Sequence, residues 1–133
     1  MKRITLIIGI LAVLLSLNYN NGLAQQLGDK VYWMLTTEIP IGKLAEYHAL
    51  NEKELAPLTK KHGYKPVATW QTIVGDIEEV ITVAEFENMA AYHKARRSLL
   101  GSEEWKTVSK KFGALTRSIK SRFLSATPYS KLK

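Results

Sequence analysis

The chain has 133 residues, a formal net charge of +7 and no cysteine. The lack of cysteine excludes disulfide bonds, thiol catalysis and thiolate metal sites. The charge is placed unevenly, because residues 25–88 carry 6 basic and 10 acidic side chains whereas residues 89–133 carry 11 basic and 2 acidic ones. A chain of this length is expected to form one domain with a core of modest size.

The N-terminal segment has the composition of a secretory signal peptide. Two basic residues precede an apolar run over residues 4–17, and polar and then small residues follow up to Ala24. This order predicts cleavage before Gln25, with residues 1–24 as the signal and residues 25–29 as a short linker. A retained signal anchor is the alternative, although the apolar run makes only roughly 21 Å of helix against a hydrocarbon core of ~30 Å. We therefore expect an exported protein, periplasmic or extracellular.

The exported chain is predicted to begin with a strand and a helix. Residues 31–39 are rich in β-branched and aromatic side chains, and both alternating sets are largely apolar, which favours a strand covered on two faces. Residues 43–62 have the pattern of a helix that ends at Gly63. Because Pro57 removes a backbone donor inside this helix, we expect a kink or a split near Glu54.

Three further strands are predicted. Residues 64–74 and 79–86 have β-branched and aromatic composition and are separated by a turn at Gly75, so they indicate a hairpin. Residues 118–125 are weakly strand-like.

Two helices are predicted between the hairpin and the last strand. Asn88 is suited to cap a helix over residues 89–100, and Ser102 is suited to cap the next helix. In that next helix, apolar side chains recur at helical spacing and predict a buried stripe: Trp105, Val108, Phe112 and Leu115.

The resulting order, β-α-β-β-α(α)-β, is typical of an α+β, ferredoxin-like domain. Helices cover only one face of such a sheet. Strands that are apolar on both faces need a second cover, and a partner copy of the same sheet is the simplest one. We therefore predict a homodimer.

Several local strings resemble the NIPSNAP family. They are KLAEY at 43–47, LAPL at 55–58, KKHG at 60–63, WQT at 70–72, ARR at 95–97, EW at 104–105 and ATPYS at 126–130. The resemblance covers nearly all of the mature chain. It implies a dimeric α+β barrel over residues 30–130 and little chemistry, because no general catalytic set defines the family. The sequence departs from the family at His48 and Asn51, where larger apolar residues are common.

The first predicted helix carries two polar residues on its apolar side. His48 and Asn51 fall in or beside the stripe formed by Tyr47 and its apolar neighbours. Two polar groups on a buried face must be hydrogen-bonded or hydrated. One interpretation is an internal hydrogen-bonded pair. The other is a ligand cavity between helices and sheet that His48 and Asn51 line, with further walls from Trp70, Tyr92 and His93.

The sequence gives less support to heme binding, metal binding or nucleophilic catalysis. His93 would resemble the heme ligand of heme-degrading enzymes that share this dimeric fold, but no strand offers the asparagine that those enzymes use, and a boundary histidine is the simpler interpretation. No spacing demands a metal site. No nucleophile elbow or phosphate loop is present. We therefore expect no cofactor, with heme as the alternative.

The basic C-terminal half has two interpretations. Its lysines and arginines form a solvated face, or they make peripheral contact with anionic polymers or membrane surfaces outside the cytoplasm. Nucleic acid is disfavoured, because the chain is predicted to be exported and has no aromatic platform among these charges.

The sequence thus favours an exported, homodimeric binding module for a small, mostly apolar ligand. The alternative is an oxygenase on the same fold that works without a cofactor or degrades heme. Whether the protein is an enzyme is left open by the sequence.

Overall fold

The computed structural model describes residues 30–132. The signal peptide and the linker predicted for residues 1–29 lie outside this range, so export and cleavage stay predictions. The strands are β1 (Val31–Glu38), β2 (Lys65–Gln71), β3 (Glu79–Phe86) and β4 (Ser118–Ser125). The helical elements are a 3₁₀ turn (Ile41–Lys43), α1 (Leu44–Leu50), a π-helical segment (Asn51–Leu55), α2 (Ala56–Lys61), α3 (Met89–Leu100) and α4 (Glu103–Leu115). Within residues 30–132, no helix is long and apolar enough to cross a membrane.

The four strands form one sheet in the order β2-β3-β1-β4. Strand β3 runs antiparallel to both of its neighbours, and its pairing with β2 is interrupted by a bulge between Pro66 and Ala68. Helical connections join β1 to β2 and β3 to β4. This is the ferredoxin-like arrangement, so the predicted α+β fold class is confirmed.

Strand β2 is shorter than predicted. The sequence pattern extended it to residue 74, but Ile73 and Val74 lie in the hairpin loop and are 87% and 86% exposed. Gly75 adopts a φ of +100°, which side chains other than hydrogen rarely allow. The turn therefore begins before the β-branched residues end, and their strand propensity is overridden.

Pro57 does not break the first helical region. Helix α1, the π-helical segment and α2 follow one another without a gap, and the Ala56 N–H donates to the Asn51 carbonyl across the wider turn. Pro57 directly follows this wider turn, at the start of α2. The irregularity predicted near Glu54 is thus a π-helical turn and not a split.

The core lies between the helices and one face of the sheet. It consists of two clusters of buried side chains, one with Leu58, Tyr64, Ala84, Phe86, Tyr92, Ala95, Leu99 and Val108, the other with Ile39, Tyr47, Leu50, Val80 and Leu115. Both clusters draw on the odd-numbered positions of β1 and its extension and on the even-numbered positions of β3. Side chains alternate along a strand, so the intervening residues occupy the opposite face.

That opposite face is also apolar at its centre. Met34 of β1 and Ile81 of β3 lie on it, and Trp70 of β2, which is 55% exposed, is paired with Ile81. We call the face of the sheet that carries these three residues the outer face. Neither core cluster includes these three residues.

The start of β4 is held to the rest of the sheet by charged groups. The Arg117 guanidinium lies 2.7 Å from Glu38 Oε1 and also contacts Glu78 Oε2. The Ser118 hydroxyl donates to the second oxygen of Glu38 at 2.8 Å. Past β4, a separate turn forms in residues 126–132, where the Ser130 N–H donates to the Thr127 carbonyl.

Candidate functional site

A cavity of about 420 Å³ lies between the helices and the sheet. Its wall is mainly apolar and is contributed by every layer of the fold, including Trp33 and Leu35 of β1, Leu55 of the π-helical segment, Leu99 of α3, Trp105 of α4 and Ile119 of β4. Ligand sites for small molecules typically occupy about 300–1,000 Å³, so the cavity is of a size that admits one.

Helical spacing explains which side chains reach the cavity from α3. Tyr92, Arg96, Leu99 and Leu100 line it, and their separations of three and four residues place them on one face of the helix. The Asn88 side chain fixes where this helix begins, because its Oδ1 accepts the Ala91 N–H at 2.9 Å.

The π-helical segment sets the opposite wall. Asn51, Leu55, Ala56 and Thr59 line the cavity from the segment and from α2. A π turn is wider than an α turn and is frequent at functional sites. Here it places Asn51 and Ala56, five residues apart and joined by a backbone hydrogen bond, on the same wall.

A chain of aromatic rings supports one side of the cavity. It begins with Trp33 beside Tyr64 and continues through Phe86, Tyr92 and Phe123, with successive centroids 5.1, 5.3 and 4.7 Å apart after Tyr64 and ring planes close to perpendicular. Edge-to-face pairs of this kind contribute about 0.5–1.5 kcal/mol each beyond their burial. The chain of rings thus connects β1, β3, α3 and β4.

Several polar side chains on the wall have no hydrogen-bond or ion-pair partner among the described residues. The side chains of Asn51, Tyr64, Tyr92 and Arg96 all line the cavity, and none of them makes a hydrogen bond or ion pair with the part of the chain that the structure describes. Buried polar groups in proteins are usually satisfied. These four are therefore available to water or to a ligand.

Burial shifts the pKa of two phenols on the cavity wall further above neutrality. Burial, with a smaller contribution from the neighbouring Tyr92, raises the pKa of Tyr64 to about 12, while the Arg96 charge opposes this shift. Burial also raises the pKa of Tyr47, and its hydrogen bond with Thr37 opposes that shift. At neutral pH both hydroxyls therefore act as hydrogen-bond donors.

The structure brings together two of the five residues proposed from the sequence. Asn51 and Tyr92 line the cavity. Trp70 lies on the outer face of the sheet, and His93 is exposed, with its ring beside that of Tyr92 at 5.4 Å between centroids. His48 lies outside the cavity wall, where its Nε2 is 2.9 Å from Gln71 Oε1.

His48 and Asn51 therefore have different environments. His48 is hydrogen-bonded internally, as the first interpretation held, but its partner is Gln71 and not Asn51. Asn51 faces the cavity, as the second interpretation held.

Several cavity residues were not singled out as site residues from the sequence. Tyr64 directly follows the helix-ending Gly63, and Arg96 was grouped with the surface cations of the C-terminal half. The signal that could have found Arg96 is its separation of four residues from Tyr92, which places both on one helix face.

Among the described residues, the remaining charged side chains do not form a recognisable metal or anion site. Among residues 30–132, no group of three histidine or carboxylate side chains could hold a metal ion. A part of the basic C-terminal surface is paired with acids, since Lys106, Lys111 and Arg117 contact Glu103, Glu54 and Glu38 respectively.

Comparison with known proteins decides the family. The NIPSNAP family model matches residues 32–131, which is most of the chain. The chain belongs to the NIPSNAP family. No curated protein sequence matches this NIPSNAP chain.

Solved NIPSNAP structures have the same fold. The chain is similar to two NIPSNAP family proteins from Agrobacterium tumefaciens, with 19% and 20% sequence identity and TM-scores of 0.74 and 0.75. The alignments cover 78% of this chain in both cases, and 94% and 99% of the respective relatives. The first of these relatives is described as having unknown function.

A more distant similarity extends to an enzyme. SnoaB from Streptomyces nogalater, a cofactor-independent oxygenase, aligns over 79% of this NIPSNAP chain and 98% of its own, with 14% identity and a TM-score of 0.58. At this level of identity the similarity establishes a common fold and no common activity.

Proposed function

We propose that this NIPSNAP protein binds a small, mostly apolar molecule in the cavity between its helices and its sheet. The supporting observation is the combination of an aromatic and aliphatic wall with polar side chains, among them Asn51, Tyr64, Tyr92 and Arg96, that have no hydrogen-bond or ion-pair partner among the described residues. A wall of this composition buries an apolar body, and a few convergent polar groups orient it.

The volume limits the size of the ligand. Liquid water occupies about 30 Å³ per molecule, so about 420 Å³ holds roughly 14 groups of that size. A fused pair of aromatic rings with one substituent fits this limit. A long lipid chain with a full headgroup exceeds it.

A homodimer built through the outer face belongs to this proposal. Helices cover one face of the sheet, while Met34, Ile81 and Trp70 leave the other face apolar at its centre. Pairing two such faces would remove this apolar surface from water. The cavity lies on the helix side, so each protomer keeps its own site.

The test is to fill the cavity and look for loss of a bound molecule. Thr59 lines the cavity from α2, so Thr59→Phe places a ring where the ligand would lie. Thr107, a helical and exposed threonine of α4, gives the matched control Thr107→Phe. Native mass spectrometry of the protein isolated from its host reports any small molecule that it carries, and calorimetric titration with 2-naphthamide reports binding of a probe of suitable size.

We expect the wild type and Thr107→Phe to carry the small molecule and to bind 2-naphthamide, and Thr59→Phe to do neither. If the wild type carries no small molecule and does not bind the probe, or if Thr59→Phe binds as well as the control, the cavity is not the site.

The second candidate function is oxygenation without a cofactor, and the similarity to SnoaB is the observation that favours it. Such a reaction needs an enclosed apolar cavity with few polar groups, because the electron-rich substrate itself reduces oxygen. Oxygen uptake with 1,5-dihydroxynaphthalene separates the candidates. Uptake above the uncatalysed rate by the wild type that disappears in Thr59→Phe supports an enzyme, and a ligand bound without oxygen uptake supports a binding protein.

A further inference from the structure

We propose that the ligand of this cavity carries an anionic group, a carboxylate in the simplest case, which pairs with Arg96. This inference rests on the proposed binding function and adds the chemical class of the ligand, an aromatic or aliphatic acid small enough for the cavity.

The charge balance of the cavity is the first observation. Arg96 contributes the one charged side chain among the described residues that line the wall, and no aspartate or glutamate lines it. Arg96 also forms no ion pair with any residue in the range 30–132. Its positive charge is therefore not compensated at the site, and an anion placed beside it would be stabilised.

The position of Arg96 is the second observation. Its side chain lies one helical turn beyond Tyr92 on the cavity face of α3, and the residue as a whole is exposed. Such a side chain extends along the apolar wall while its charged end stays near water. An acid can therefore bury its apolar body and keep its charged group at the rim, where desolvation costs less.

Neighbouring groups complete the complement of donors. The guanidinium offers a planar pair of N–H groups that matches both oxygens of a carboxylate. The hydroxyl of Tyr64 is neutral at pH 7 and available to donate a further hydrogen bond. A lysine at position 96 would keep the charge but lose the paired geometry.

Matched ligands and matched variants test this inference. The ligands are 2-naphthoate and its neutral isostere 2-naphthamide, titrated calorimetrically into the wild type, Arg96→Gln, Arg96→Lys and Arg97→Gln. Arg97 is the control, because it is exposed, adjacent in α3 and absent from the cavity wall. Thermal unfolding of each variant checks that the fold is retained.

We expect the wild type to bind 2-naphthoate about tenfold more tightly than 2-naphthamide, in keeping with a charge-assisted pair. Arg96→Gln should remove this difference by weakening naphthoate binding alone, Arg96→Lys should retain part of it, and Arg97→Gln should leave both affinities unchanged.

The failures are distinguishable. If both probes bind equally well to the wild type, or if Arg96→Gln weakens both alike, the anionic class is overturned while the cavity remains a binding site. If neither probe binds and no molecule is carried from the host, the binding function itself is overturned.

Discussion

The ring of Trp33 in β1 and that of Tyr64, which directly precedes β2, meet edge to face, with centroids 5.5 Å apart and planes at 73°. Tyr64 is 6% exposed and also touches Phe86 at 5.1 Å between centroids. It therefore belongs both to the packed core and to the cavity wall, and substitutions at this position separate the two roles.

Tyr64→Ala should lower the free energy of unfolding by about 3–5 kcal/mol, because it removes a large buried ring and leaves a void. Tyr64→Phe should lower it by less than about 1 kcal/mol, since the lost hydroxyl has no protein partner among the described residues. Urea unfolding measures both. Lys60→Ala, at an exposed position of α2, is the control and should change little. A Phe variant as unstable as the Ala variant would show that the hydroxyl matters to the fold.

Leucine substitutions should act differently at two polar positions of the first helical region. His48→Leu removes the hydrogen bond to Gln71 and should cost about 1 kcal/mol of the free energy of unfolding. Asn51→Leu removes a cavity amide that has no protein partner, so stability should be unchanged or higher while ligand binding weakens. Urea unfolding and the naphthamide titration measure the two effects. Equal loss of stability in both variants would contradict the different environments of the two side chains.

The cluster at the start of β4 should make stability depend on pH. Hydrogen bonds from Arg117 and then Ser118 lower the pKa of Glu38 below its ordinary value of 4.5. The folded state thus binds fewer protons than the unfolded one in this range, so the stabilisation is present above pH 4.5 and is lost as pH falls through the lowered pKa. Urea midpoints of the wild type and Arg117→Gln should differ at neutral pH and converge as the pH falls.

Arg122→Gln is the control for that series. Arg122 lies on the same strand, is exposed, and forms no ion pair within the described range. Its difference from the wild type should stay small at every pH. A constant difference between Arg117→Gln and the wild type would show that protonation of Glu38 is not involved.

A charge at the centre of the outer face should prevent the proposed dimer. Ile81→Lys places an ammonium group among Met34 and Trp70, where a partner sheet would have to bury it. Sedimentation equilibrium should show a dimer for the wild type and a monomer for this variant. Trp70→Lys, at a 55% exposed position, should have the same effect with less risk to the fold. Ile41→Lys, in the 3₁₀ turn, is the control and should remain dimeric. A monomeric wild type would refute the dimer directly.

The elements that the sequence predicts best are those with local end signals. Asn88 and Ser102 accept hydrogen bonds from the Ala91 and Trp105 N–H groups, so each marks the start of its helix as expected. Strand β2 was predicted less well, because the loop residue Val74 has the same β-branched character as a strand residue.

The cavity was only partly predictable for a different reason. Asn51 stands out as a polar group on a helical stripe, and it lies on the cavity wall. Trp70 lies on the face of the sheet away from the cavity, and the alternation of side chains along β2 does not reveal from the sequence which face the helices cover. Arg96 was hidden by its charge, since a long side chain at a rim has the same sequence pattern as a solvated cation.

The π-helical segment contains one residue more than an ordinary helical turn, and this extra residue determines which side chains face the cavity. Each residue of a regular helix turns the chain by about 100°. The π turn takes up one extra residue, so straightening it into an ordinary helix without shortening the chain would rotate every side chain before it by about that angle relative to those after it. Tyr47 and Thr59, which now share one wall, would then point in different directions. The extra residue in the π turn therefore keeps both halves of the first helical region facing the same interior, and deleting it would largely preserve that orientation.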